Sequence, residues 1–306
     1  MRQITNTLLM IRPAGFGFNE ETAESNSFQT KDETPQDQIQ QDALLEFDNM
    51  VKTLNDHNIN TLVIDDTPPY SPDAIFPNNW ISTHENKILI TYAMESPIRR
   101  LELREDILRK LEELYGFNKE YNFQHYIIED GLALEGTGSM ILDRENRICY
   151  ACLSSRTSIQ LLSKFGILMN YKIVYFHAYD KNNEQIYHTN VMMALGEELA
   201  IICLESIQDE EEKKNVVDQL QANGKIIVDI GLDQVNEFAG NMLEVRSDDF
   251  TRYMIMSSSA KKSLTADQLE TISNSSKIID INIPTIEKYG GGSVRCMMAE
   301  IFKPQN

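Results

Sequence analysis

The chain has 306 residues, 42% of them hydrophobic and 25% charged, a balance that supports a large folded core and excludes a dominantly disordered chain. Its formal net charge of −19 opposes binding to phosphate backbones and anionic membrane surfaces, so neither nucleic acid nor a membrane is an expected partner. No apolar run approaches the roughly 20 residues of a membrane span. The start, "MRQITNTLLMIRP", lacks the apolar core and cleavage site of a signal peptide, and four cysteines without a paired framework point to free thiols in a reducing cytoplasm.

In chain order, "TLLMIRP" reads as a strand. "QDQIQQDALLEFDNMVKTLNDHN" sets Ile39, Ala43, Leu44, Phe47, Met50, Val51 and Leu54 on one helical face. "INTLVIDD" and "KILITY" read as strands, "RRLELREDILRKLEELYG" as a helix, and "HYIIED" as a strand. "GSMILDRENRICYACLS" is expected to form a hairpin, "SSRTSIQLLSKFG" a helix capped by Ser154 or Ser155, and "KIVYFHAY" a strand. Then come the apolar "VMMALGEELAIICLESI", helix "DEEEKKNVVDQLQANG", strand "KIIVDI", helix "LDQVNEFAGN" and the segments "MLEVRS" and "YMIMSSSA". Helix "TADQLETISNSS", with Thr265 as its cap, precedes strands "KIIDINI" and "SVRCMMAEIFK". Helices flanked by strands recur every 50 to 60 residues or roughly so, the range in which propellers are built. No Gly/Pro/Ser linker divides the chain, so a single domain over residues 1–306 is expected. Residues 13–38 carry little regular pattern, as a lid or a floppy loop would.

The chemistry-bearing side chains are few. Cys296 follows three glycines in "KYGGGSVRCMMAEIFKP", and a thiolate there needs a partner to become a strong nucleophile. Of five histidines, His57 and His177 read as structural, whereas His188, in "YHTNVMMALG", opens a strand where a scaffold can present it to a cleft. "SPDAIFPNNW" carries Asp73, Asn78 and Asn79, and "EDGLALEGTGSM" carries Glu135; each stretch taken alone reads better as a turn than as a functional motif. "CYAC" has CxxC spacing without a second pair, so it reads as a strand with two buried thiols. No metal ligand set or cofactor loop is spelled, and none is expected.

Taken in order, "PDAIFPNNW", "LEGTGS", "LSSRT", "YHTN" and "GGGSVRC" resemble the guanidino-group-modifying enzymes: arginine deiminase, dimethylarginine dimethylaminohydrolase and the amidinotransferases. The resemblance covers essentially the whole chain and is closest to the citrulline-utilisation hydrolases of the dimethylargininase-like branch. It implies a five-fold pseudosymmetric α/β propeller (a pentein) of strand–helix–strand repeats around a funnel. It also implies Cys296, His188 and Glu135 as catalytic residues, with Asp73 to Asn79 against the substrate head group. Arg156 then matches the arginine that takes the substrate α-carboxylate, Arg99 matches a second arginine of that branch, and residues 13–38 form the lid.

Physical chemistry supports those assignments. A guanidinium or ureido carbon is a poor electrophile, and a thiolate attacks it only if the group is held in plane and protonated as it becomes tetrahedral. His188 can give that proton and later take one from water, while Glu135 supports the imidazolium. The chain departs from the deiminase pattern at Asn79 and Asn190, where carboxylates grip a cationic guanidinium. Amides offer both donor and acceptor and suit a neutral ureido group. The leading expectation is therefore hydrolysis of citrulline, a small amino-acid substrate, to ornithine, carbon dioxide and ammonia through a thiol-linked intermediate. Arginine deimination, dimethylarginine hydrolysis, amidino transfer and a non-catalytic binding propeller stay open as alternatives. Oligomeric state is also open, with a homodimer among the options.

Overall fold

The computed structural model of the chain describes residues 1–23, 26 and 28–304. Strand β1 (Thr7–Arg12) is followed by helix α1 (Gln36–Asp56), which buries Ile39, Ala43, Phe47, Met50 and Leu54 and leaves Leu44 and Val51 half-buried. Each fully buried aliphatic or aromatic side chain on this face contributes about 1.5–3 kcal/mol relative to exposure. The chain returns through β2 (Asn60–Asp65), which pairs in parallel with β1 over its whole length, Thr7 opposite Asn60 and Arg12 opposite Asp65.

Four further units repeat this plan with an added hairpin strand. The first holds β3 (Ile81–His84), β4 (Ile88–Thr91), α2 (Glu105–Tyr115) and β5 (Lys119–Asn122). After α3 (His125–Glu129) the second holds α4 (Gly136–Ser139), β6 (Ile141–Asp143), β7 (Ile148–Cys152), α5 (Ile159–Met169) and β8 (Lys172–Phe176). The third holds α6 (Thr189–Met192), β9 (Met193–Leu195), β10 (Leu199–Ile202), α7 (Glu210–Ala222) and β11 (Ile226–Asp229). A fourth, after α8 (Leu232–Asn236), holds β12 (Leu243–Arg246), β13 (Arg252–Ser257), α9 (Ser258–Ser263), α10 (Ala266–Ser275) and β14 (Lys277–Ile281). Finally α11 (Pro284–Gly290) leads to β15 (Ala299–Glu300), which adds antiparallel to β1.

The described residues thus form five three-stranded sheets. In each, the middle strand pairs antiparallel on one side and parallel on the other, as β7 does with β6 and β8. This is the expected pseudosymmetric α/β propeller, with one correction: the repeat is strand–strand–helix–strand, and the first blade takes its extra strand from the far end of the chain. A parallel pair needs a crossover and an antiparallel pair only a tight turn, which is why each helix sits between the second and third strands.

Other readings need correction. "HYIIED" begins with helix α3, and the neighbouring strand is the polar β5. Helix α5 starts after Ser158, so neither Ser154 nor Ser155 caps it. Thr265 does cap α10, its side chain accepting from Gln268 N while the Gln268 side chain answers its backbone. Cys296 is not on a strand: successive turns (Cys296 N to Ser293 O, Met297 N to Val294 O, Met298 N to Arg295 O) precede β15. His177 follows β8 and pairs with Glu212. Among the described residues no helix is long and apolar enough to cross a membrane.

Candidate active site

Two or three residues before the first strand of each blade's hairpin, the chain makes a tight turn carrying one small polar side chain. These are Asn79, Ser139, Asn190, Asn241 and Cys296, on the turns before β3, β6, β9, β12 and β15. The turns pack on one another because two of them contain glycine at the contact. A Cβ on Gly136, whose φ is +50°, would lie 2.4 Å from the Asn78 carbonyl oxygen, and one on Gly240 would lie 2.3 Å from that of Val191. Gly138 makes room for the chemistry itself, since its Cβ would sit 2.8 Å from His188 Nδ1 and 2.3 Å from Asn79 Nδ2.

Glu135 and His188 meet at 2.8 Å through Oε2 and Nε2, both side chains fully buried. Glu135 Oε1 accepts from the Glu95 backbone N–H at 2.9 Å. Holding the imidazole at Nε2 leaves Nδ1 as the basic nitrogen of the neutral ring. Burial alone would raise the Glu135 carboxyl, but Arg156, His188 and Arg99 outweigh it and hold the group at about 2. Burial pushes His188 down to about 4, only partly offset by Glu135. The resting pair at neutral pH is an ionised carboxylate and a neutral imidazole, ready to take a proton.

Cys296 shares with His188 a cavity of about 20 Å³, also lined by Asn26, Asp73, Asn79, Arg99, Arg156, Tyr187 and the glycines 290–292. The structure therefore brings together Cys296, His188, Asp73, Asn79, Arg99 and Arg156, with Glu135 directly behind His188. Asn190 reaches the same sulfur from the side, its Nδ2 3.4 Å from Cys296 Sγ. Asn78 does not line the cavity; its carbonyl accepts from Thr137 Oγ1 at 3.3 Å and supports the turn that carries Glu135. Arg99 forms a fork-to-fork pair with Glu102 at 2.8 and 2.9 Å and donates to Asn79 Oδ1 at 3.0 Å. Arg156 lies over the Tyr187 ring at 4.7 Å, with Nε 3.3 Å from Glu95. Two roomier grooves of about 400 and 540 Å³ lie elsewhere, and neither gathers a thiol and an imidazole.

The three glycines before Cys296 admit an aromatic ring and a loop. Cβ atoms at 290 and 292 would lie 2.8 and 3.0 Å from Phe76 Cζ, and Gly291, with φ +60°, would meet the Asn26 side chain at 2.7 Å. The segment expected as a lid runs over this wall, although Glu24, Ser25 and Ser27 lie outside the described residues. Asn19 Nδ2 donates to Asp73 Oδ2 at 2.8 Å, Asn26 Nδ2 to Gly290 O at 3.3 Å, and the Glu21 carboxylate accepts from Ser96 and Ile98.

Sequence reasoning missed Tyr187, Glu95, Glu102 and Asn241. Tyr187 adjoins the histidine in the quoted "YHTN" and donates to Gly291 O at 2.8 Å. Asn241 had a signal too: a small polar residue followed by two apolar ones recurs as "NWI", "SMI", "NVM", "NML" and "CMM", once per blade.

The sequence profile of the family described as N,N dimethylarginine dimethylhydrolase, eukaryotic, matches residues 12–303. The chain belongs to this family. Its fold is the one shared by the guanidino-modifying penteins. No curated protein sequence matches it. The solved structure of ArgZ, an arginine dihydrolase from the ornithine–ammonia cycle in Cyanobacteria, superposes with TM-score 0.75 at 16% identity over 98% of this chain and 41% of that one. The N-terminal domain of ArgZ, as a cysteine-to-serine mutant bound to substrate, gives 0.74 at 16% identity over 97% and 98%. A histidine-to-glycine dimethylarginine dimethylaminohydrolase, as an adduct with S-methyl-L-thiocitrulline, gives 0.65 at 15% over 97% and 100%. The chain thus spans under half of full-length ArgZ, and at these identities the likeness is one of fold.

Proposed function

We propose that the family member hydrolyses the ureido group of free citrulline to ornithine, carbon dioxide and ammonia, with residues 1–306 acting as one catalytic domain. The observation that supports this is a matched pair of open hydrogen-bonding atoms. Asn79 Nδ2, oriented by Arg99 at its Oδ1, and Asn190 Oδ1 are both buried without a hydrogen-bond partner among the described residues. One is a donor and one an acceptor, which answers a ureido group with its C=O and N–H; a guanidinium offers donors only.

In this reading His188 takes the proton of Cys296, and the sulfur attacks the ureido carbon. The tetrahedral centre collapses with loss of ornithine, whose amine leaves with the proton from His188, and an S-carbamoyl cysteine remains. Water, deprotonated by His188, attacks that carbonyl carbon, the C–S bond breaks and the thiol is restored. The released carbamic acid falls apart into carbon dioxide and ammonia. Glu135 stabilises the imidazolium at each step, Arg156 takes the substrate carboxylate, and Asp73 and Asn79 hold the head group with Arg99 fixing Asn79. A cavity of about 20 Å³ has room for about one water molecule. In this reading substrate enters as the Asn19–Asp73 and Asn26–Gly290 hydrogen bonds open.

A second reading takes arginine, which the ArgZ structures name in their own activity. Asp73 Oδ1, buried and without a partner among the described residues, would favour a cation. The test is product analysis with L-citrulline, L-arginine and dimethylarginine, using Cys296→Ala as control and resolving ornithine from citrulline by mass spectrometry. Ornithine from citrulline at a rate well above that from arginine supports ureido hydrolysis. Citrulline accumulating from arginine, with citrulline itself untouched, overturns it.

A further inference from the structure

We infer that Asn241 is a catalytic residue: its side-chain amide, together with that of Asn190, donates to the Cys296 sulfur and stabilises the thiolate that forms when His188 takes its proton. The proposal rests on Cys296 being the nucleophile. Asn241 is 1% exposed and its amide is bound on every side. Oδ1 accepts from the Arg295 backbone N–H at 3.0 Å, which fixes which end of the amide is nitrogen. Nδ2 donates one hydrogen to the Asn190 carbonyl at 2.8 Å, and its other faces Cys296 Sγ at 3.3 Å. Asn190 Nδ2 approaches the same sulfur at 3.4 Å.

Two amides from neighbouring blades therefore converge on one sulfur and both present N–H, while Asn241 Oδ1, farther off at 3.7 Å, accepts the S–H of the neutral thiol. A neutral thiol is a poor acceptor, whereas a thiolate is a good one, so the pair favours the reactive form and the anionic sulfur leaving the tetrahedral intermediate. The same residue ties together the turns that deliver the thiol and the histidine, because it bonds to Arg295 on one and Asn190 on the other. Gly240 allows this approach, having no Cβ to strike Val191 O or Met192.

The experiment measures the rate at which iodoacetamide alkylates each cysteine from pH 6 to 10, by peptide mass spectrometry, alongside kcat and KM. The proteins are the wild type, Asn241→Ala, Asn241→Ser, Asn241→Asp and Cys296→Ala. Cys149, Cys152 and Cys203 are all buried and report folding, since they react only in a chain that has opened. In folded Asn241→Ala or Asn241→Ser, Cys296 alkylation at neutral pH is expected to slow about tenfold or more. The alkylation profile should move to higher pH, and kcat should fall by a similar factor with KM changed less than threefold. Asn241→Asp keeps the shape and turns an acceptor toward the sulfur, so it is expected to be slower still. Unchanged Cys296 alkylation in any variant whose other cysteines stay silent overturns the proposal, provided Cys296→Ala is inactive. If Cys296→Ala still turns over substrate, the nucleophile reading falls and takes this proposal with it.

Discussion

Cys149 and Cys152 on β7 and Cys296 in the turn before β15 are all buried, yet their sulfurs meet different surroundings. Burial in an apolar strand pushes the Cys149 thiol far above its ordinary value. It pushes Cys152 up to about 12, with Thr189 only partly opposing it. At Cys296 the neighbours are two amide N–H groups and a cavity shared with an imidazole and two arginines. Exclusion from water is common to both regions, so it does not make a cysteine chemically useful. Directed donors and a proton acceptor do, and they come from the turns between blades instead of from the strands.

The hardest blow to this contrast is the exchange of the two cysteines' fates. Cys296→Ala is expected to lower kcat by about 10⁴-fold or more while substrate binding persists, measured by steady-state turnover and calorimetric titration. Glu135→Gln keeps the shape but removes the charge that meets His188, Arg99 and Arg156. A loss of about 10²–10⁴-fold in kcat is expected, and a loss below tenfold would show the carboxylate to be dispensable. Gly138→Ala sharpens the geometry, because its methyl must displace His188 or Asn79. About 10²-fold lower activity with an unchanged circular dichroism spectrum is expected.

Acid tests the burial of the pair. His188 has a folded value of about 4 against 6.5, so between those values the unfolded chain binds a proton that the folded chain does not. Stability therefore falls as pH drops through that window, by up to about 3 kcal/mol from this group alone. Glu135, held at about 2, continues the loss below pH 4.5. Urea unfolding from pH 7 to 4 measures this, and His188→Asn should flatten the slope; an equal slope in that variant would assign the effect to other groups. The smallest change is Cys149→Ala, with kcat kept within about twofold and stability lowered by about 1 kcal/mol in the same unfolding assay.

The ring was legible because its period is long and its strands alternate with amphipathic helices, and α1 and α10 lie where apolar spacing and a capping threonine put them. "HYIIED" misled because a short apolar run does not distinguish helix from strand, and Ile128 is 77% exposed on α3. The real strand, "KEYN", is polar and mostly exposed, so it carries no such signal. Around Cys296, two methionines read as a strand although the backbone there makes consecutive turns. Cys296, His188 and Glu135 were legible as residue types in recognisable stretches. Asn241 was not, because an asparagine after glycine is ordinary turn chemistry and only the superposed repeats give it a place. Glu95 and Glu102 were hidden among many surface carboxylates, since what distinguishes them is an arginine brought close by folding.

Strand β15 pairs with β1, so Leu8 lies opposite Glu300 and the ring is closed by segments from the two extremes of the sequence. During synthesis, the blade begun first is completed only when β15 arrives, after the other four. The chain made before it already carries Glu135, His188, Asn190 and Asn241, but Cys296 joins them only when the segment leading into β15 docks. On the proposed mechanism, a chain cut short before that segment holds the Glu135–His188 pair without its thiol, and the site is completed only in the step that seals the ring.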